Sequence, residues 1–126
     1  MNMNELTSIL QSIKKLLGIP ADYDHFDSDI IIHINSAFSV LAQLGVGPKE
    51  GFSISDDSAK WDDFVPDENQ LLQNVKTYVY LKVRIVFDPP LSSAVLECQK
   101  EQIKEMEWRL QVASENLTEQ EENQNG

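Results

Sequence analysis

The stretch from Asp67 to Pro90, DENQLLQNVKTYVYLKVRIVFDPP, sets the problem that the rest of the chain must solve. Within it, Tyr78 to Phe87 is the longest nearly unbroken apolar run, interrupted only by Lys82 and Arg84. Side chains this apolar must be covered on most sides, so other elements pack around them. Val79, Leu81, Val83, Ile85 and Phe87 alternate with Tyr78, Tyr80, Lys82 and Arg84, a strand-like period in β-branched and aromatic residues. Read from Glu68, however, the run continues a helical start for about twenty residues without a breaker, well past the usual strand length of about five or six. A strand at 78–87 would also have no sheet to join. The segment therefore reads as a central helix capped by Asp67 and stopped by Pro89-Pro90. At about 100° per residue its apolar side chains cover roughly 260°, leaving Gln73, Thr77 and Arg84 on the remaining face. Lys82 falls inside the apolar arc. It either lays its stem on apolar surface or meets a carboxylate, including one from another chain.

The flanking segments are helical too. Residues 5–17 place Leu6, Ile9, Leu10, Ile13, Leu16 and Leu17 on one face, with Asn4 as N-cap, Lys14 and Lys15 in the last turn, and Gly18 then Pro20 as stops. After the turn PADYDHFD, residues 28–44 repeat the pattern with Ile30, Ile31, Ile34, Ala37, Phe38, Leu41 and Leu44. Asp27 or Ser28 caps that helix, and Gly45 and Gly47-Pro48 end it. Residues 92–113 form the last helix, capped by Ser92 or Ser93. Leu96, Ile103, Met106, Leu110 and Ala113 lie near a heptad seam, Gln99 is its polar exception and Trp108 is well off it. Glu105 and Arg109 make a favourable i,i+4 pair. From Glu115 to Gly126 the chain has one apolar residue, four acids and no base, a composition expected to stay disordered.

Between the second and third long helices, residues 46–66 differ in character. Gly47, Pro48, Gly51 and Pro66 punctuate a segment rich in acids, with Phe52, Ile54, Trp61 and Phe64 as apolar anchors. GFSIS and KWDDFV can pair as a short hairpin across DDSA, or the segment stays an extended loop. A connection of about twenty residues is long for a small domain and points to function. The expected architecture is thus all-α: four main helices over residues 1–114, a hairpin or extended loop at 46–66, and a disordered acidic tail at 115–126.

Net charge is −11 over 126 residues, which opposes binding to bare phosphate backbones. The single cysteine, Cys98, has no internal disulfide partner and fits a reducing compartment. The first residues, MNMNELTSIL, lack the basic and apolar regions of a signal peptide, and no window reaches the roughly 18 apolar residues of a membrane-spanning helix. No metal or cofactor site is expected. Asp22, Asp24, Asp27 and Asp29 in DYDHFDSD superficially resemble a calcium loop, but Phe26 and Asp27 occupy its fifth and sixth positions and His33 its twelfth. His25 and His33 fit no zinc pattern, and no phosphate loop, nucleophile elbow or Cys–His pair can be built. An enzyme is not expected. Aromatic anchors amid polar residues instead point to protein interfaces, with Phe52, Ile54, Trp61, Phe64, Lys82, Arg84 and Trp108 as candidate contact residues.

The segments LTSILQSIKKLLGI, HFDSDIIIHINSAFSVLAQLGVGP, GFSI with its WDDF sequel, VKTYVYLKVRIVFDPP and SSAVLECQKEQIKEMEWRL together resemble the head-tail connector (adaptor, head-completion) proteins of tailed bacteriophages. The resemblance covers residues 5 to about 113. It rests on apolar and loop patterns, not on a catalytic signature. It implies a small helical bundle that assembles as a homo-oligomeric ring of about a dozen copies beneath the portal protein at the capsid vertex. Such a ring continues the DNA channel without specific DNA binding and presents a platform to the next neck or tail-completion protein. The resemblance further implies no catalysis, no cofactor and no membrane, with assembly in the host cytoplasm and a final place in the virion neck. By position, the 46–66 loop would lie at a subunit contact or the channel, and the last helix with its tail would reach the portal or a neighbour. The composition alone also admits a small acidic regulatory module that mimics DNA or masks a basic partner.

Overall fold

A computed structural model describes residues 7–65 and 70–125. Its elements in chain order are α1 (Ile9–Leu17), α2 (Asp27–Gln43), the short α3 (Trp61–Phe64), α4 (Gln70–Phe87) and α5 (Ser93–Asn125). The protein is all-α, and no strand forms among the described residues.

The apolar run resolves as the middle of α4. Leu72, Val75, Tyr78, Val79 and Val83 are buried, while Gln73, Thr77 and Arg84 face water. Helix α4 packs against α1, α2 and α5, which makes it the element the others cover. Burying each of those large side chains stabilises the fold by about 1.5–3 kcal/mol, enough for α4 to dominate the core. Ile9, Leu10 and Ile13 of α1 and Ile30, Ile34, Phe38 and Leu41 of α2 complete one side. Ile103 and Leu110 of α5 close the other, with Met106 partly buried between them.

Helix boundaries follow local chemistry. Asn4 and Asp67, the two caps read from sequence, lie outside the described residues. The Ser8 hydroxyl caps α1, accepting the Gln11 N–H at 3.2 Å. Gly18 (φ +80°) ends that helix in the left-handed conformation, with the Ile19 N–H bonded back to the Lys14 carbonyl. Helix α2 departs from expectation. It starts at Asp27 with no side-chain cap, because the Asp27 carboxylate turns to Lys14 instead. Ser92 accepts the Val95 N–H at 3.4 Å at the start of α5.

Of the two forms expected for the long connection, the extended loop is the one present: residues 46–60 make no hairpin, WDDF coils into α3, and Lys60 forms only an isolated bridge with Ser8. The reason is local: the Asp63 carboxylate accepts the Lys60 N–H at 2.8 Å, which favours a helical turn over a strand. The last helix runs past residue 113, and its backbone is helical to Asn125. No Gly or Pro interrupts that stretch, and Glu, Gln and Leu are good helix formers.

Candidate assembly interface

The described part of the bundle has two distinct ends. At one end, which we call the loop end, the Ser8 hydroxyl donates to the Asp57 carbonyl (2.8 Å) and Ser114 of α5 donates to the Gly45 carbonyl (2.6 Å). At the other, the turn end, Phe26 packs edge-to-face on Phe87 at 5.3 Å, with His25 and Tyr23 beside Phe26. The Pro89-Pro90 turn into α5 lies there as well.

The loop anchors turn inward. Ile54, Trp61 and Phe64 are only 3–5% exposed, and Phe52 is partly buried. Phe38 of α2 collects these rings, with centroids of Phe52 at 5.1 Å, Phe64 at 4.9 Å and Trp61 at 6.3 Å. The Trp61 indole donates to Ser12 Oγ at 2.9 Å, and Lys76 stands over its ring at 5.8 Å. The side-chain amide of Asn35 then grips Ile54 as a strand would. Nδ2 donates to the Ile54 carbonyl at 2.9 Å, and Oδ1 accepts the Ile54 N–H at 2.8 Å. Ile54, Trp61 and Phe64 are therefore core of their own protomer, with Phe52 packed against them. An apolar residue in an acidic loop reads the same way in sequence whether it faces a partner or Phe38.

The remaining candidates stay on the surface but apart. Trp108 is 63% exposed on α5. Arg84 lies against its own neighbour, its guanidinium 5.8 Å from the Tyr80 ring and bonded to the Tyr80 hydroxyl. Lys82 is half-buried at the α4–α5 junction, two residues and so about 200° around α4 from Arg84. Lys82 and Arg84 thus form no common basic patch.

Sequence reading missed the apolar turn end. Val86 is 57% exposed, Leu91 is fully exposed and Val95 is nearly half-exposed. Val86 belongs to the apolar run, so only the packing of α5 shows which member of the run is left uncovered. Leu91, alone between Pro90 and Ser92, was the available signal.

Across the α4–α5 contact the Tyr78 hydroxyl donates to Glu107 at 2.6 Å. Burial pushes the Tyr78 hydroxyl well above its ordinary range, and the Glu107 bond and charge push it further. The exposed Asp56 carboxyl is held low by the Ser58 hydroxyl and N–H. Among the described residues no group of three or more His, Cys, Asp or Glu could hold a metal ion. No described helix is long and apolar enough to cross a membrane.

The described residues thus leave Val86, Leu91 and Val95 in water at the turn end and Trp108 in water farther along α5. A family model, phage connector protein, matches residues 9–117, and the chain belongs to that family. No curated protein and no solved structure matches it. The family is a structural one, and membership implies a structural role in the phage and contacts with other phage head and tail proteins.

Proposed function

We propose that the protein is a head-tail connector that forms a homo-oligomeric ring between the portal and the neck of a tailed phage and continues the DNA channel. The match to the connector family over residues 9–117 carries this reading. Two physical observations support it. A lone protomer leaves Val86, Leu91, Val95 and Trp108 in water, and a ring covers such surface. A net charge of −11 lets a channel wall pass DNA without gripping it. In this reading residues up to 114 are the ring-forming body, and the acidic residues from 115 onward are its extension toward a partner. Trp108 and Lys82 are contact residues, and Arg84 is a peripheral one. About a dozen copies make the ring, which assembles in the host cytoplasm and ends in the virion neck.

Co-sedimentation with the portal protein of the same phage tests this. The wild-type chain pellets with portal rings, and Trp108→Ala weakens that binding or self-association without lowering thermal stability. A chain that neither self-associates nor binds portal contradicts the proposal.

A further inference from the structure

Between α4 and α5 runs an open groove of about 510 Å3. Val86 and Ile103 contribute to its apolar lining, and Lys82, Lys100 and Lys104 stand along it. The carboxylate in the lining, Glu107, is already engaged by the Tyr78 hydroxyl. Lys100 and Lys104 touch Glu97 and Glu101 of their own helix at 3.5 and 3.7 Å, with all four side chains more than half exposed. Exposed pairs of this kind contribute little and are readily exchanged for another carboxylate. Lys82 makes no ion pair among the described residues.

In a chain with 21 acids and 10 bases, a groove with three cations and one occupied carboxylate favours an acidic guest. The chain carries such a guest. From Glu115 onward, ENLTEQEENQNG holds four acids, no base and the single apolar residue Leu117. Its backbone to Asn125 is the continuation of α5, the helix that also forms one wall of the groove. At about 1.5 Å per residue, Glu115 stands about 12 Å beyond Glu107 and Asn125 about 27 Å beyond it. A continuous helix does not return its own end to its first turns, so a tail in this groove comes from another molecule.

We infer that the lysine-rimmed α4–α5 groove seats the acidic C-terminal segment, residues 115–125, of a neighbouring copy of this chain. The inference rests on the ring reading above and names the contact that builds the ring. Groove and tail are different surfaces of the protomer, so the contact is heterologous, the kind that propagates head to tail and closes into rings.

Cysteine cross-linking of the full chain tests it. Both partners carry Cys98→Ser, because Cys98 is exposed on α5. One also carries Val86→Cys and the other Leu117→Cys. Under assembling conditions, mixing them with a short bismaleimide gives a cross-linked dimer of one chain of each kind. Reversing Lys82, Lys100 and Lys104 to Glu cuts its yield about tenfold, since each exposed pair contributes a factor of about 2–5. Reversing Glu115, Glu119, Glu121 and Glu122 to Lys in the tail-bearing partner restores it.

Three results overturn the inference. Assemblies of normal mass without the mixed cross-link remove the groove–tail contact and leave the ring reading standing. Efficient cross-linking at high dilution within one chain bearing both substitutions shows that the tail occupies its own groove. A chain that stays monomeric with or without portal removes the ring reading, and the inference with it.

Discussion

Lys14 Nζ lies 2.9 Å from Asp27 Oδ1, with the lysine side chain wholly buried and the aspartate 26% exposed. The same ammonium donates to the carbonyls of Ala21 (3.2 Å) and Tyr23 (2.8 Å). A single cation thus ties α1, the α1–α2 turn and the first residue of α2. The asymmetry in burial predicts an asymmetry in mutants. Asp27→Ala strands a buried positive charge and costs about 3–5 kcal/mol. Lys14→Met leaves a partly solvated carboxylate and two carbonyls, and costs about 1–3 kcal/mol. Urea unfolding midpoints at unchanged slope measure both, and a larger loss for Lys14→Met would contradict this account.

Asn35 supplies the backbone partners that Ile54 would otherwise find in a sheet. Asn35→Ala leaves a buried residue's N–H and carbonyl unpaired, at a cost of about 2–3 kcal/mol. The Ile54 amide then exchanges hydrogen faster than the amides of α4, because the loop opens before the bundle does. Equal acceleration in both places would mean that Asn35 holds the whole fold and not the loop.

Gly47 adopts φ +91°, and a Cβ there would run into the ring of Phe64. Gly47→Ala therefore combines a left-handed backbone with an overpacked aromatic cluster, and destabilises by about 2–4 kcal/mol. Gly51 has a similar φ of +87° but open space beside it, so Gly51→Ala carries only the conformational part, about 1 kcal/mol. Thermal unfolding of the two variants side by side checks the ranking.

Tyr78 gives the bundle an alkaline limit. Its hydroxyl holds a proton more tightly in the folded chain than in the unfolded one, where it titrates near 10. The raised value means that its stabilising contribution is complete below about pH 10 and is lost as pH rises beyond that, when the unfolded chain releases the proton first. Unfolding midpoints of wild type should fall between about pH 9 and 11 by more than those of Tyr78→Phe. Parallel pH curves would show that the Tyr78–Glu107 bond contributes no linkage.

Much of this fold could be read before any coordinates, and the reasons are local. The three-and-four spacing of Ile9, Leu10 and Ile13, the glycines at 18 and 45, and the seam of Ile103, Met106 and Leu110 each carry their own periodicity or stop. The type of α4 was legible because nothing else in the chain offered it a sheet. What escaped depends on partners distant in sequence. Phe52, Ile54, Trp61 and Phe64 are core because Phe38, Ser12 and Asn35 receive them. The exposure of Val86 depends on how far α5 covers α4. Lys82 was visible as a cation inside an apolar arc, but its neighbours Lys100 and Lys104 come from another helix. The helical backbone past residue 114 was missed because composition was weighed against core formation, whereas an uninterrupted helix needs no core of its own to continue from an anchored one.

The mass of the assembled particle tests the ring most directly. Native mass spectrometry of the full chain, alone and with portal rings, should give one discrete closed oligomer of about a dozen copies, on the portal if not free. A chain that remains monomeric at high concentration and leaves the portal mass unchanged would contradict the account.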